Sequence, residues 1–232
     1  MKKAILILMW TFCAMVSFCQ KSGPSGNKTE TKLNAALVRQ LDTIHHDDQD
    51  YRVLIDSVNK KYGQQSKEML DLWRLIGQRD SINTIKVTTI IDRYGWLGAD
   101  VVGEHGNSTL FLVIQHADFS VQEKYLPLMR DAVKKGNAIW ADLALLEDRV
   151  LIWKGKKQLY GSQISDYLDA GAFVAPLEDP DNVDKRRAEA GLRPMAIYLS
   201  YFGMKWDLEQ YKKDLPMIEA KEKALMEKAV RK

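Results

Sequence analysis

A mostly α, single-domain protein is the fold class this sequence predicts. Three observations carry it. Apolar residues recur at steps of three and four over long runs, capping residues and glycines punctuate those runs, and only one stretch, near 158–177, has strand-like character.

The first nineteen residues stand apart from that pattern. Lys2 and Lys3 form a positive n-region, and Ala4 to Phe18 form an apolar run too short to span a bilayer comfortably. Ser17 and Cys19 are small residues at the −3 and −1 positions of a signal-peptidase site, so cleavage is expected before Gln20 and the protein is expected in the periplasm or secreted. The competing reading is a lipoprotein anchored at Cys19, against which stands the bulky Phe18 where a small residue is needed. Both cysteines, Cys13 and Cys19, belong to this segment. The mature chain is therefore expected to be thiol-free and to depend on its apolar core rather than on disulfides.

Lys2 and Lys3 also supply two of the three formal positive charges, so the mature chain is close to neutral and a nucleic-acid face is not indicated. No transmembrane helix is expected after cleavage. Residues 20–31, polar and rich in Gly, Ser and Pro, read as a disordered linker, and 32–232 as one α-rich domain.

Leu33, Leu37, Leu41, Ile44, Tyr51, Ile55, Val58 and Tyr62 keep helical spacing with one seam position missing, and that position is Asp48. A frayed stripe, a capped break at His45–Gln49 and a buried, partnered carboxylate all fit this pattern. If the helix packs on the 69–90 region through its seam, Asp48 is buried and must be hydrogen-bonded. Met69, Leu72, Ile76, Val87 and Ile90 continue the period after Gly63, with Asp80 and Asn83 on seam positions. Gly77 followed by Asp80 suggests one helix stopping and another starting with Asp80 as its N-cap. Tyr94-Gly95-Trp96 ends the segment.

Residues 110–114, LFLVI, suit a buried helix with caps available at Asn107 and Ser108. Ser120 and Glu123 have capping-box spacing ahead of Val121, Tyr125, Leu128 and Ala132, and Pro127 predicts a kink near Glu123. Ile139, Leu143, Leu146, Val150 and Trp153 form a regular helical stripe ending at Gly155. QLYGSQI (158–164) and FVAPL (173–177) are candidates for a small β-hairpin. Asp179-Pro180 opens a helix closed by Gly191, Pro194 opens another, and the charged tail from Trp206 reads as a surface helix broken near Pro216. There is no P-loop, dinucleotide fingerprint or internal repeat.

The strings DSIN (80–83), YGWLG (94–98), QHAD (115–118), KYLPLM (124–129), LALLEDRV (143–150), QLYGSQI (158–164), VDKRRA (183–188) and GLRPM (191–195) share order and spacing with one family. The chain resembles an uncharacterised bacterial family, a domain of unknown function found in Bacteroidota and Actinobacteria, from about Leu41 to Tyr201. The resemblance implies one domain and a Gram-negative envelope address. It carries no catalytic role to any residue.

The chemistry concentrates at VIQHADFSVQEKYLPLM, where Gln115, His116 and Asp118 lie between an oily run and an amphipathic one. Histidine titrates near neutrality and a carboxylate can orient it, but residues two apart on a helix point about 200° apart. A direct His116–Asp118 pair therefore needs the helix to end between them. The catalytic candidates are His116, Asp118 and Asp148. Gln115, His116, Asp118, Arg149, Tyr160 and Gln163, with Asp148, are expected to meet in one hydrogen-bonded cluster that holds a ligand or only the fold.

Arg149, among apolar residues, calls for a carboxylate partner. Tyr160 and Gln163 either face a pocket or satisfy hairpin edges. Arg186 and Arg187 read mainly as a solvated helix face, with anion binding as the alternative. No metal site or cofactor is expected: HExxH spacing is absent, and neighbours in His45-His46-Asp47-Asp48 face different ways. Ser162 lacks the second glycine of a nucleophile elbow. The two function classes left are a binding or interaction module for a small molecule or envelope component, and a hydrolase-type enzyme. The enzyme would use His116 and Asp118 with Glu147 or Asp148 as a second carboxylate.

Overall fold

The structure, a computed structural model, describes residues 33–165 and 171–230; the residues on which the expected signal peptide and linker fall lie outside the described residues. Asn34 caps α1 (Ala35–Gln49) by accepting the Leu37 amide at 3.1 Å, and its own N–H is pinned to Val101 O at 2.8 Å. The long amphipathic run then breaks. A 3-10 turn at Arg52–Leu54 leads into α2 (Ile55–Tyr62), which stops at Gly63. Leu37, Leu41, Ile44 and Asp48 are the buried face of α1, so the carboxylate does lie on the seam, only 1% exposed.

Ser66 caps α3 (Lys67–Tyr94), one continuous helix. Asp80 is therefore not an N-cap. Gly77 has helical dihedrals and open space around it, and the apolar face on both sides of it drives the helix straight through. α4 (Ala99–His116) is buried on every side from Thr109 to Gln115, as befits a central helix. Its one departure is Gly103, whose φ of 74° breaks the helical path.

α5 (Phe119–Lys134) begins directly after Asp118, so Ser120 and Glu123 lie inside the helix rather than forming a capping box, and the helix runs through Pro127. α6 (Trp140–Trp153) follows and packs on α5. α1 packs chiefly on α4, and α3 touches both. Their shared core includes Leu41, Ile44, Val87, Ile91, Leu110, Ile114, Met129 and Leu146.

The expected hairpin is present but minimal. β1 (Ile164–Ser165) pairs antiparallel with β2 (Phe173–Val174), with an additional bridge between Gln158 and Leu177. A 3-10 turn at Pro180–Asn182 leads to α7 (Val183–Glu189), then α8 (Met195–Ser200) and α9 (Leu208–Val230). Helix α9 continues through Pro216 instead of breaking there. It is also more than a surface element, because Tyr211 and Ile218 complete a second core with Ile164, Val174, Leu177, Met195 and Leu199. Among the described residues, no helix is long and apolar enough to cross a membrane.

Candidate functional site

Three helices bring charged side chains to one place. Asp48 comes from the last turn of α1, Asp80 from the middle of α3, and His116 is the final residue of α4. His116 Nδ1 lies 3.1 Å from Asp48 Oδ1 and 3.0 Å from Oδ2. Gln49 donates to Asp48 Oδ2 at 2.6 Å. Arg52, one turn beyond Asp48, donates to the Asp48 carbonyl at 2.7 Å and lies 3.4 Å from Oδ1. Its other nitrogen, Nη2, pairs with Asp80 Oδ1 at 2.7 Å. Exposure grades across the cluster: Asp48 and Arg52 are covered at 1% and 4%, whereas His116 and Asp80 keep 10% and 18%.

Burial raises the Asp48 carboxyl, but the charge and hydrogen bond of His116, with Arg52 and Gln49, outweigh it and hold the group at about 2. An ionised carboxylate only accepts, so Nδ1 of His116 must carry the proton in this pair. The ring is thereby oriented with Nε2 as the remaining nitrogen. Asp80 goes the other way: burial outweighs Arg52 and His116 and raises its pKa. Asp48, Asp80 and His116 each offer a ligand atom within 4.8 Å of the others, a spacing that can hold a metal ion.

The expected partner of His116 therefore gives way to another. Asp118 is exposed at the start of α5 and makes no capping bond, while His116 reaches back to Asp48. Gln115 is fully buried beside Arg149; with its amide oxygen turned toward α6 it accepts from Arg149 Nε at 2.9 Å and Nη2 at 3.2 Å. Among the described residues, Arg149 thus meets the amide of Gln115. Burial lowers Arg149 to about 10 against the pull of Tyr198, and the like charge of Arg52 adds to the lowering.

Asp148 and its neighbour Glu147 serve elsewhere. Glu147 pairs with Arg130 at 2.7 Å. Asp148, 0% exposed, accepts the backbone amides of Leu159 (2.6 Å), Tyr160 (3.0 Å) and Ser162 (2.9 Å), anchoring the QLYGSQI loop to α6. Burial pushes it up to about 6 against those three donors. In the same loop Gln158 Oε1 accepts the Gln163 amide at 2.7 Å, and Gln163 Nε2 donates to Ser162 Oγ at 3.0 Å. Tyr160 and Gln163 thus satisfy the loop.

The two arginines of α7 are not a solvated face. Arg187 is buried, donating from Nη1 to Tyr160 O at 2.6 Å and from Nε to Arg193 O at 2.5 Å. Arg186 donates to the carbonyls of Leu159, Glu178 and Asp179. Among the described residues, the contacts of the anticipated cluster fall into three groups: Asp48–Arg52–Asp80–His116, the Gln115–Arg149 pair, and the Asp148-centred loop. Arg52 and Asp80 were not among the sequence candidates. The available signals were the i,i+4 spacing of Asp48 and Arg52 and the seam position of Asp80.

The family profile described as a family of unknown function (DUF6624) matches residues 35–209, and the chain belongs to that family. Comparison with curated proteins and with solved structures gives no match.

Proposed function

We propose that this chain is an exported small-molecule-binding domain of the cell envelope, and that His116 with Asp80 meets the ligand at the less covered end of the cluster. One observation carries the reading: an ionised, fully covered Asp48 fixes the orientation of a His116 that is itself 10% exposed. Packing alone does not ask for such a group. Apolar side chains of similar volume commonly stabilise a core at least as well as buried ion pairs. The test is a thermal-shift comparison of wild type and His116→Ala across amino acids, organic acids, sugars and nucleotides. A compound that raises the wild-type melting temperature and leaves His116→Ala unmoved supports the reading. No such compound, together with a loss of about 1–3 kcal/mol in the variant, assigns the cluster to structure alone.

A hydrolase reading has one observation of its own, the Asp48–His116 pair, in which Nε2 can take a proton from water. It replaces Asp118 by Asp48 as the orienting carboxylate and uses Asp80 as the second acid. Turnover of p-nitrophenyl esters or phosphates by wild type but not by His116→Ala supports it.

The address follows from the amino-terminal segment. The mature protein is expected to begin at Gln20 without a thiol, as intact-mass measurement of envelope-purified protein can test; a lipid-sized increment on Cys19 would favour the anchored form instead.

A further inference from the structure

We infer that Asp48, Asp80 and His116 form a binding site for a first-row divalent cation, with Asn83 supplying a fourth donor. The inference rests on reading the cluster as a ligand site and names the ligand. The three side chains come from three different helices, and their donor atoms lie within 4.8 Å of one another. His116 Nδ1 and Asp48 Oδ2 are 3.0 Å apart. Two donors each about 2.1 Å from one ion have that separation when they subtend about 90°, as in a six-coordinate shell.

Charge points the same way. Two carboxylates, Asp48 and Asp80, share the single guanidinium of Arg52. A cation would balance the second carboxylate. Arg52 need not leave: it holds Asp80 by Oδ1 and Asp48 chiefly by its backbone carbonyl, the position of an outer partner, and Asp80 keeps a second oxygen.

Asn83 is the independent observation. It follows Asp80 by three residues on the same face of α3 and is 0% exposed. Its Nδ2 faces Ile44 O at 3.4 Å, one turn before Asp48, while its Oδ1 is buried with no hydrogen-bond partner. A buried acceptor left without a donor is disfavoured, and an ion or its bound water would satisfy it. One imidazole with carboxylate and amide oxygens suits Mn2+, Fe2+ or Zn2+. On binding, the ion takes the Nδ1 lone pair of His116. The proton that Nδ1 carried reappears on Nε2 through solvent exchange.

Calorimetric titration of chelator-stripped protein with MnCl2 and with ZnCl2 decides the matter. The expected result is one site for at least one of the ions, weakened tenfold or more in Asp80→Asn and in His116→Ala, and unchanged in His105→Ala. If His116→Ala does not fold, Asp80→Asn and Asn83→Ala carry the comparison. Wild type binding neither ion overturns the inference, and so does binding that survives in the cluster variants. A small molecule that still binds stripped wild type, and not His116→Ala, would leave the ligand-site reading standing while removing the metal.

Discussion

Asp48 and His116 are 68 residues apart in the chain and 3.0 Å apart in space. Their contact ties the last turn of α1 to the final residue of α4, the two helices most closely packed together, and Arg52 extends the tie to α3 through Asp80. One carboxylate thus sets both a helix arrangement and the orientation of the most chemically capable side chain in the protein.

Acid should expose the Asp48 contribution. Its folded pKa of about 2 lies below the ordinary 3.8, so the stabilisation is fully present above about pH 4 and is lost as pH falls through about 2. The size is about 2 kcal/mol. Asp80, raised by burial, acts in the opposite sense, so the informative quantity is the difference between wild type and Asp48→Asn. Urea midpoints from pH 5 to pH 2 should fall more steeply for wild type than for the variant. Parallel curves would contradict the assignment.

Asp148→Ala should be among the most damaging single changes in the chain. It leaves the amides of Leu159, Tyr160 and Ser162 buried without an acceptor, at about 1–3 kcal/mol each. Asp148→Asn keeps one acceptor oxygen and should lose less. Chemical denaturation of both variants checks the order, and equal losses would count against the anchoring role.

Two glycines should respond oppositely to alanine. Gly161 has a φ of +67°, and a Cβ there would stand 2.7 Å from Met195 Sδ, so Gly161→Ala should destabilise by about 1–3 kcal/mol. Gly77 lies in open space within α3, so Gly77→Ala should stabilise by about 0.5–1 kcal/mol. Melting temperatures that move in the same direction would refute the pair of assignments.

Arg187→Lys should destabilise although charge is kept. The guanidinium reaches two carbonyls from different nitrogens and lies 4.7 Å over the Tyr198 ring, a fork that one ammonium cannot reproduce. A loss of about 1–3 kcal/mol is expected in denaturant titrations. An unaffected midpoint would show that the burial of Arg187 matters more than its fork.

Much of this architecture was legible in the residues because helical periodicity is a local signal. The stripe through Leu37, Leu41 and Ile44 marks the seam on which Asp48 is buried, and LFLVI is buried helix as expected, although that helix begins at Ala99 and not behind caps at Asn107 and Ser108. The errors arose where tertiary packing overrode local chemistry. Asp80 has the composition of a cap, yet the apolar face of α3 continues on both sides of it and Arg52 claims its side chain. Ser120 and Glu123 have the spacing of a capping box, but the helix had already begun at Phe119. At the site, nearness in sequence paired His116 with Asp118. The true partner lies on another helix, and such pairings leave no periodic trace in a single chain.

The family match ends at residue 209, just as α9 begins at Leu208. Yet Tyr211 and Ile218 of that helix seal the apolar surface around Leu177, and the Tyr211 hydroxyl donates to Ala175 O at 2.9 Å. A wall of the second core is therefore furnished by sequence that the family profile does not specify. Relatives sharing only the matched span would need some substitute cladding over the hairpin.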